Sequence, residues 1–179
     1  MRKSAYILFI LLMSELLLVG FKPLPAVEDR LNYKLHAMFI YHFTKYIDWP
    51  PNAMRNEFRI GVIGNSPITS ELQQLLRDKQ VNRKKVVIKE EELNGFMPSN
   101  YDIVFLSAES SGKFNSLDDA SNGFPVLVIT EQDGLLRKGS MINFLVREEK
   151  LRFEINKTKM LSRNLKVSNE LLKLATKIQ

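Results

Sequence analysis

Residues 30–51, RLNYKLHAMFIYHFTKYIDWPP, decide the fold because they predict one long amphipathic helix with a defined end. The prolines at 50 and 51 lack the N–H that would continue a helix, so the helix is predicted to end near Asp48. Trp49, the only tryptophan, stands at the junction with the first strand. Apolar residues recur at steps of three and four, the period of a helix with one buried face: Leu31, Leu35, Met38, Phe39, Phe43 and Ile47.

The rest of the chain predicts the sheet on which this helix packs. Apolar segments with the pattern of strands are 58–63, 85–89, 101–107, 124–130, 141–146 and 151–155. Helical patterns lie between them and in the tail from residue 157, where Val167 and Ser168 favour a break over one continuous helix. The predicted fold class is α/β: a single domain with a mixed, partly parallel sheet of about five to six strands and helices on both faces.

The N-terminus predicts export. Arg2 and Lys3 precede an apolar run over residues 5–19, and small residues follow up to Ala26. This pattern is typical of a cleaved signal peptide, here 1–26, with the domain at 27–179; an uncleaved anchor is the alternative. The chain has no cysteine, which excludes disulfides, thiol switches and thiolate-bound zinc.

The net charge of +6 is not gathered into a dense basic stripe, so no nucleic-acid partner is expected. Basic residues such as those at 83–85 are interpreted as a solvated turn, with an acidic partner or lipid headgroups as the alternative.

The candidate chemistry is weak at each position. His36 and His42 would lie about 240° apart on a helix, so they cannot share one metal ion. The turn at 64–69 follows a strand and opens a helix, but it has one glycine and no lysine of the Walker type, which favours helix capping over phosphate binding. There is no serine-hydrolase elbow. A phosphoacceptor domain needs acidic residues after the first strand and at the end of a central one, and these two strand ends carry Gly64-Asn65 and Ser107-Ala108 instead. We therefore predict no catalytic, cofactor-binding or metal-binding residue and no enzyme.

The hairpin predicted at 141–155 carries four polar residues whose role stays open between a ligand-binding edge and a surface network, with Asn156 capping the next helix. They are Asn143, Arg152, Glu154 and Asn156.

An ordered set of segments resembles one known family, over about residues 31–175. In the first helix the matching residues are Lys34, Ala37, Phe39, Ile40, Phe43, Lys45, Tyr46, Ile47, Trp49 and Pro50. Further matches are IGVIG at 60–64, FLS at 105–107, VLVIT at 126–130, INF at 142–144, RFEIN at 152–156, and the leucines and serine of 165–175. The chain is similar in these segments to the YfiR family (with HmsC), small exported proteins that control a membrane-bound diguanylate cyclase.

This resemblance implies a periplasmic, non-enzymatic regulator. It implies a homodimer that binds and represses the periplasmic sensor region of an inner-membrane signalling protein, lowering cyclic di-GMP and biofilm output, with membrane contact only through that partner. Members with cysteines use them for disulfides and redox response, which this chain cannot do. The alternative is a small-ligand sensor for a membrane receptor or histidine kinase. The first helix is expected to offer the partner an exposed side with aromatic contacts: Tyr33, Tyr41 and Tyr46, with Trp49 at its end. For Trp49 a role as a plug in the core is the favoured alternative.

Overall fold

The computed structural model describes residues 27–51 and 55–179, and the side chains from residue 33 onward within the first of these ranges. The predicted signal peptide, 1–26, and the predicted place of Leu31 on the buried face of the first helix lie outside the described residues and side chains. The described helices are α1 (Val27–Tyr46), α2 (Ile68–Leu76), α3 (Phe114–Ala120), α4 (Leu135–Lys138), α5 (Lys157–Ser162) and α6 (Asn169–Leu174). Short 3-10 helices lie at Pro98–Asn100 and Ala108–Lys113.

The described strands form one large sheet and one small one. They are β1 (Ile47–Asp48), β2 (Glu57–Ile63), β3 (Gln80–Val81), β4 (Lys84–Glu91), β5 (Ile103–Leu106), β6 (Leu127–Thr130), β7 (Ile142–Arg147), β8 (Lys150–Ile155), β9 (Lys166–Val167) and β10 (Lys177–Ile178). The large sheet has the order β10-β8-β7-β6-β5-β2-β4-β3, and β1 pairs with β9 separately. The central strands β4, β2, β5, β6 and β7 are parallel, while β3 and β8 join by antiparallel pairing.

The predicted single α/β domain with a mixed sheet is confirmed, but the strand count of five to six is wrong because the sheet has eight strands. All six predicted strands are present. The two additional strands, β3 and β10, have two residues each and are defined by backbone pairing with a neighbour. Two residues are too few to carry an alternating apolar pattern, so the sequence gives no signal for them.

Helices cover both faces of the sheet. On one face, Ala37, Ile40 and Phe43 of α1 are buried against Phe144 and Phe153, with both phenylalanine rings 5.2–5.8 Å from that of Phe43. A second apolar cluster on the other face is built by α3 and α4 against the central strands. Fully burying a side chain such as Ile40 or Phe43 contributes roughly 1.5–3 kcal/mol, so these residues hold α1 firmly on the sheet.

The predicted buried face of α1 is partly wrong. Phe43 and Ile47 are buried and Phe39 is half-buried as expected, but Leu35 and Met38 are 37% and 41% exposed. The predicted end is also two residues late, because Ile47 and Asp48 leave the helix to pair with β9. Apolar residues surround much of this helix, so a period of 3.6 fits more than one face.

The tail and the hairpin follow their predictions. The chain breaks at Ser168, whose hydroxyl accepts the N–H of Leu171 at 3.2 Å and caps α6. The hairpin β7–β8 turns through Glu148 and Glu149, both with positive φ, which is the backbone of a two-residue turn between antiparallel strands.

Candidate functional site

The parallel strands β2 and β5 lie side by side and end at the same carboxyl edge of the sheet. The chain leaves β2 for β4 on one side and returns to β5 on the other, so the topology reverses between β2 and β5. Open α/β sheets bind ligands at such a switch point. Here the two strand ends close on each other: a β-carbon at Gly64, where φ is +88°, would collide with the hydroxyls of Ser107 and Ser110. Ser107 in turn accepts the N–H of Ser110 at 3.3 Å.

A carboxylate from the chain itself lies beside this edge. Glu131 follows β6, and its Oε1 accepts the N–H of Ala108 at 2.9 Å and the hydroxyl of Tyr33 at 3.2 Å. Its Oε2 lies 3.7 Å from Nε2 of His36, and the side chains of Glu131 and His36 are each 8% exposed. The His36 ring also packs edge-on against Phe144, 4.5 Å away. Tyr33 and His36 of α1 therefore reach over the carboxyl edge, where Glu131 holds them.

The environment of Glu131 disfavours its charged form. Burial raises the pKa of this carboxyl above its ordinary value of 4.5, while the N–H of Ala108 and the hydroxyl of Tyr33 act in the opposite direction. Ala108 begins the 3-10 helix that follows β5, and its N–H donates to Glu131. The carboxylate of Glu131 therefore takes the place of the anionic ligand that a helix N-terminus can bind. This arrangement fits a structural contact better than a ligand-binding site.

The opposite edge of the sheet is organised by Trp49 and Asp102. The indole N–H of Trp49 donates to the carbonyl of Asp102 at 3.0 Å, and its ring packs edge-on against Phe58 at 5.3 Å. The Asp102 carboxylate accepts the N–H of Arg59 and a guanidinium N–H of Arg55, both at 2.8 Å. Burial raises the pKa of Asp102, while these donors lower it. Trp49 thus ties the end of α1 to the beginnings of β2 and β5.

A cavity of about 250 Å³ opens beside Trp49. Its walls combine aromatic and proline rings with a few polar side chains: Trp49, Pro50, Pro51, Phe58, Asn82, Lys84 and Asp102.

The four predicted partner contacts do not share an exposed face. Tyr46 is exposed, but Tyr33 binds Glu131, and Trp49 is half-buried. Tyr41 is also half-buried, with the ammonium groups of Lys45 and Lys79 at 4.9 and 5.4 Å from its ring centroid. The expectation that the three tyrosines lie on one exposed side is therefore wrong for Tyr33 and Tyr41, because the spacing of the tyrosines distributes them around the helix. The half-buried Trp49 agrees with its alternative role as a plug in the core. Their role in partner binding stays a prediction.

The other sequence candidates are also dispersed. His36 is buried and His42 is exposed, and no group of three or more His, Asp and Glu among the described residues is placed to hold a metal ion. The turn at 64–69 begins α2 at Ile68, one residue later than predicted, and Ser66 Oγ accepts the Ile68 N–H at 3.4 Å. Helix capping accounts for this turn.

The polar residues of the hairpin do not form one edge. Asn143 is fully buried, and the hydroxyl of Thr130 donates to its Oδ1 at 2.6 Å. Asn156 caps α5 as predicted, accepting the N–H of Lys159 at 2.8 Å. The remaining two, Arg152 and Glu154, lie exposed and half-buried on β8.

Sequence reasoning missed Glu131 as an organising residue. One signal was available: an acidic residue stands directly after a strand buried along its whole length. At the carboxyl end of a central strand such a residue is placed to contact its neighbours. Its partners on α1 come from 98 and 95 positions earlier in the sequence, and no local pattern connects them.

Within residues 27–51 and 55–179, no helix combines the length and the apolar composition needed to cross a membrane. The chain has no match among the curated proteins.

Solved structures show the same fold. A conserved domain protein from Vibrio cholerae O1 biovar El Tor aligns with a TM-score of 0.57 and 13% identity, and an ABC domain from Streptococcus pneumonia in complex with L-Trp aligns with a TM-score of 0.59 and 9% identity. Each alignment covers 82% of this chain, which spans 60% of the other chain. At these identities the likeness establishes the fold alone.

A family model provides the stronger relation. The model described as YfiR/HmsC-like matches residues 33–176, which includes α1 from Tyr33, the central sheet, the hairpin and α6. The match therefore covers both the Glu131 contacts and the Trp49 junction. This chain belongs to the YfiR/HmsC-like family.

Proposed function

We propose that this protein is an exported periplasmic regulator that binds and represses the periplasmic sensor region of an inner-membrane signalling protein of the diguanylate cyclase type. The observation that carries the proposal is the YfiR/HmsC-like match over residues 33–176. Repression would lower cyclic di-GMP and, with it, biofilm formation. The protein would act as a homodimer and reach the membrane only through its partner.

The close packing between the ends of β2 and β5 supports a binding role for the protein. In an α/β enzyme this edge holds the substrate. Here Gly64, Ser107 and Ser110 pack closely where β2 and β5 end, and Tyr33 and Glu131 join beside them, while a space of about 410 Å³ remains between Gly64 and the glutamates at the end of β4. Since the chain has no cysteine, the regulatory signal would not pass through thiol oxidation.

The proposal is tested by crosslinking a tagged copy in live cells and identifying adducts in the membrane fraction by mass spectrometry. Deleting the gene should raise the cellular concentration of cyclic di-GMP, and expressing the tagged copy should lower it again to the wild-type level. We expect one inner-membrane cyclase to be recovered through its periplasmic region. Recovery of this chain alone, together with unchanged cyclic di-GMP after deletion, would contradict the proposal.

The cavity beside Trp49 favours a second candidate function, a small-ligand sensor for a membrane receptor or histidine kinase. Its aromatic walls and the buried carboxylate of Asp102 provide the combination of apolar surface and few polar groups typical of small-molecule sites. The ABC domain of similar fold was crystallised with L-Trp, and free amino acids therefore form the first panel of ligands to test. Ligand-induced shifts in Tm would support this function, and a flat response across the panel would leave the repressor as the better account.

A further inference from the structure

The outer surface of α1 carries apolar side chains where a surface helix ordinarily carries polar ones. We define the outer stripe as Leu35, Met38, His42 and Tyr46. Leu35, Met38 and Tyr46 are 37%, 41% and 37% exposed, and His42 is exposed as well. Steps of three and four residues place all four side chains within about 80° of one another around the helix.

The outer stripe faces away from the sheet. The fully buried residues Ala37, Ile40 and Phe43 occupy the opposite side of the same helix, so the stripe is the part of α1 farthest from the core. From Leu35 to Tyr46 it rises about 16 Å, the length of three helical turns. An apolar strip of this length on a helix is typical of surfaces that receive another amphipathic helix.

Within residues 33–46 the side chains that carry a full charge beside the outer stripe are both lysines. Lys34 and Lys45 are exposed and lie close to Met38 in angle around the helix. Lys79, which follows α2, places its ammonium group over the Tyr41 ring, as Lys45 does. Residues 33–46 contain no acidic residue. A second copy of α1 would bring these lysines against lysines of the same sign, whereas an acidic helix would be attracted to them.

We infer that the outer stripe is the docking surface for an acidic amphipathic helix in the periplasmic region of the signalling partner. This inference rests on the proposed function and assigns its surface. Met38 and Leu35 would insert between apolar residues of the partner helix, and Lys34 and Lys45 would face its carboxylates at the rim. Tyr46 is the one residue of the predicted aromatic set that belongs to this surface.

The test places a photo-crosslinking amino acid at His42 of the tagged full-length protein in live cells. For comparison, the same probe replaces Lys173, an exposed residue of α6. We expect the adduct at position 42 to map to an Asp- and Glu-rich helical segment of an inner-membrane protein, with no such adduct from position 173. Met38→Glu should lower the yield roughly tenfold or more, and the double variant Lys34→Glu/Lys45→Glu should lower it as well. Leu174→Glu is the matched control, because Leu174 is an exposed leucine on another helix.

Other outcomes would overturn the inference. Adducts at position 42 with a second copy of the chain would assign the stripe to a dimer interface. Binding of the purified protein to vesicles of phosphatidylethanolamine and phosphatidylglycerol, lost in Met38→Glu, would assign it to a lipid surface. Cyclic di-GMP separates this inference from the proposed function. If Met38→Glu still represses the cyclase, the surface is wrong and the function stands; if deletion of the gene changes nothing, the proposed function fails.

Discussion

Removing Asp118 should destabilise the protein more than removing the arginine that it binds. Arg163 lies on the turn after α5, and its guanidinium side chain is only 2% exposed. It donates to Asp118 Oδ1 at 2.8 Å and to the carbonyls of Asp118 and Ser121. The second carboxylate oxygen of Asp118 binds Lys159 Nζ at 2.7 Å. These contacts fasten α5 to α3.

The magnitude follows from what each variant leaves behind. In Asp118→Ala the buried guanidinium loses its counter-ion, a change that costs about 3–5 kcal/mol. In Arg163→Met the buried charge is gone, Asp118 keeps Lys159 and partial access to water, and the main loss is that of the hydrogen bonds to Asp118 and Ser121, about 1–2 kcal/mol. Adding Arg163→Met to Asp118→Ala should therefore restore about 2 kcal/mol.

The cycle is measured by urea unfolding of the wild type, both single variants and the double variant, followed by circular dichroism. A total stability of about 5–15 kcal/mol leaves all four proteins folded in the absence of urea if the domain lies in the middle of that range. A loss below about 1 kcal/mol in Asp118→Ala, or a double variant no more stable than Asp118→Ala, would refute the reasoning from the buried charge.

Three further predictions concern the two sheet edges. Gly64→Ala should lower the free energy of unfolding by at least about 1–2 kcal/mol, because φ at this position is +88° and the new methyl group would collide with two hydroxyls. Gly112→Ala is the control and should be nearly neutral, because there is open space around Gly112. Equal effects of the two substitutions in urea unfolding would contradict this. Trp49→Phe should cost about 1 kcal/mol by removing the indole N–H that donates to the Asp102 carbonyl, which keeps only its bond from the Leu127 N–H. An unchanged free energy of unfolding would show that the indole bond contributes nothing. Glu131→Gln should become more stable relative to the wild type as pH rises above 4.5. The pKa of Glu131 is raised in the folded state, so its ionisation costs the folded wild type more free energy than the unfolded chain, and the glutamine variant avoids this cost. A difference in Tm between the two proteins that does not change with pH would contradict this.

The first helix shows why sequence periodicity identifies an element better than its orientation. The period of 3.6 correctly predicted a helix over this stretch, and the prolines correctly predicted that it stops before residue 50. The same pattern assigned Leu35 and Met38 to the core, whereas His36 and Ala37 lie there instead. Hydrophobicity scales classify histidine as polar, so the pattern did not assign His36 to the core. In the structure, the His36 ring packs on Phe144 and its Nε2 faces the buried carboxylate of Glu131. Tertiary contacts therefore decided between two faces that the sequence left nearly equal.

The sheet and the site differ in how far local rules reach. Strands of four or more buried residues, the hairpin turn, and the caps at Asn156 and Ser168 depend on neighbouring residues, so the sequence predicts them. The pairing of Ile47 with Val167 and the bond between Tyr33 and Glu131 join residues about a hundred positions apart. Such contacts depend on topology, and no local pattern in the sequence indicates them.

The two faces of α1 are coupled by rigidity, which constrains how the outer stripe could act. Leu35 on the outside and His36 on the inside are adjacent, so any partner that tilted or lifted the helix would break the contacts at Glu131. The buried residues Ile40 and Phe43 oppose such movement, because each contributes roughly 1.5–3 kcal/mol of burial. Docking is therefore expected to occur on a helix that stays in place. It follows that Glu131→Gln should change the pH dependence of stability without changing the adduct at position 42, and that Met38→Glu should do the reverse. A variant that changed both would show that α1 moves when the partner binds.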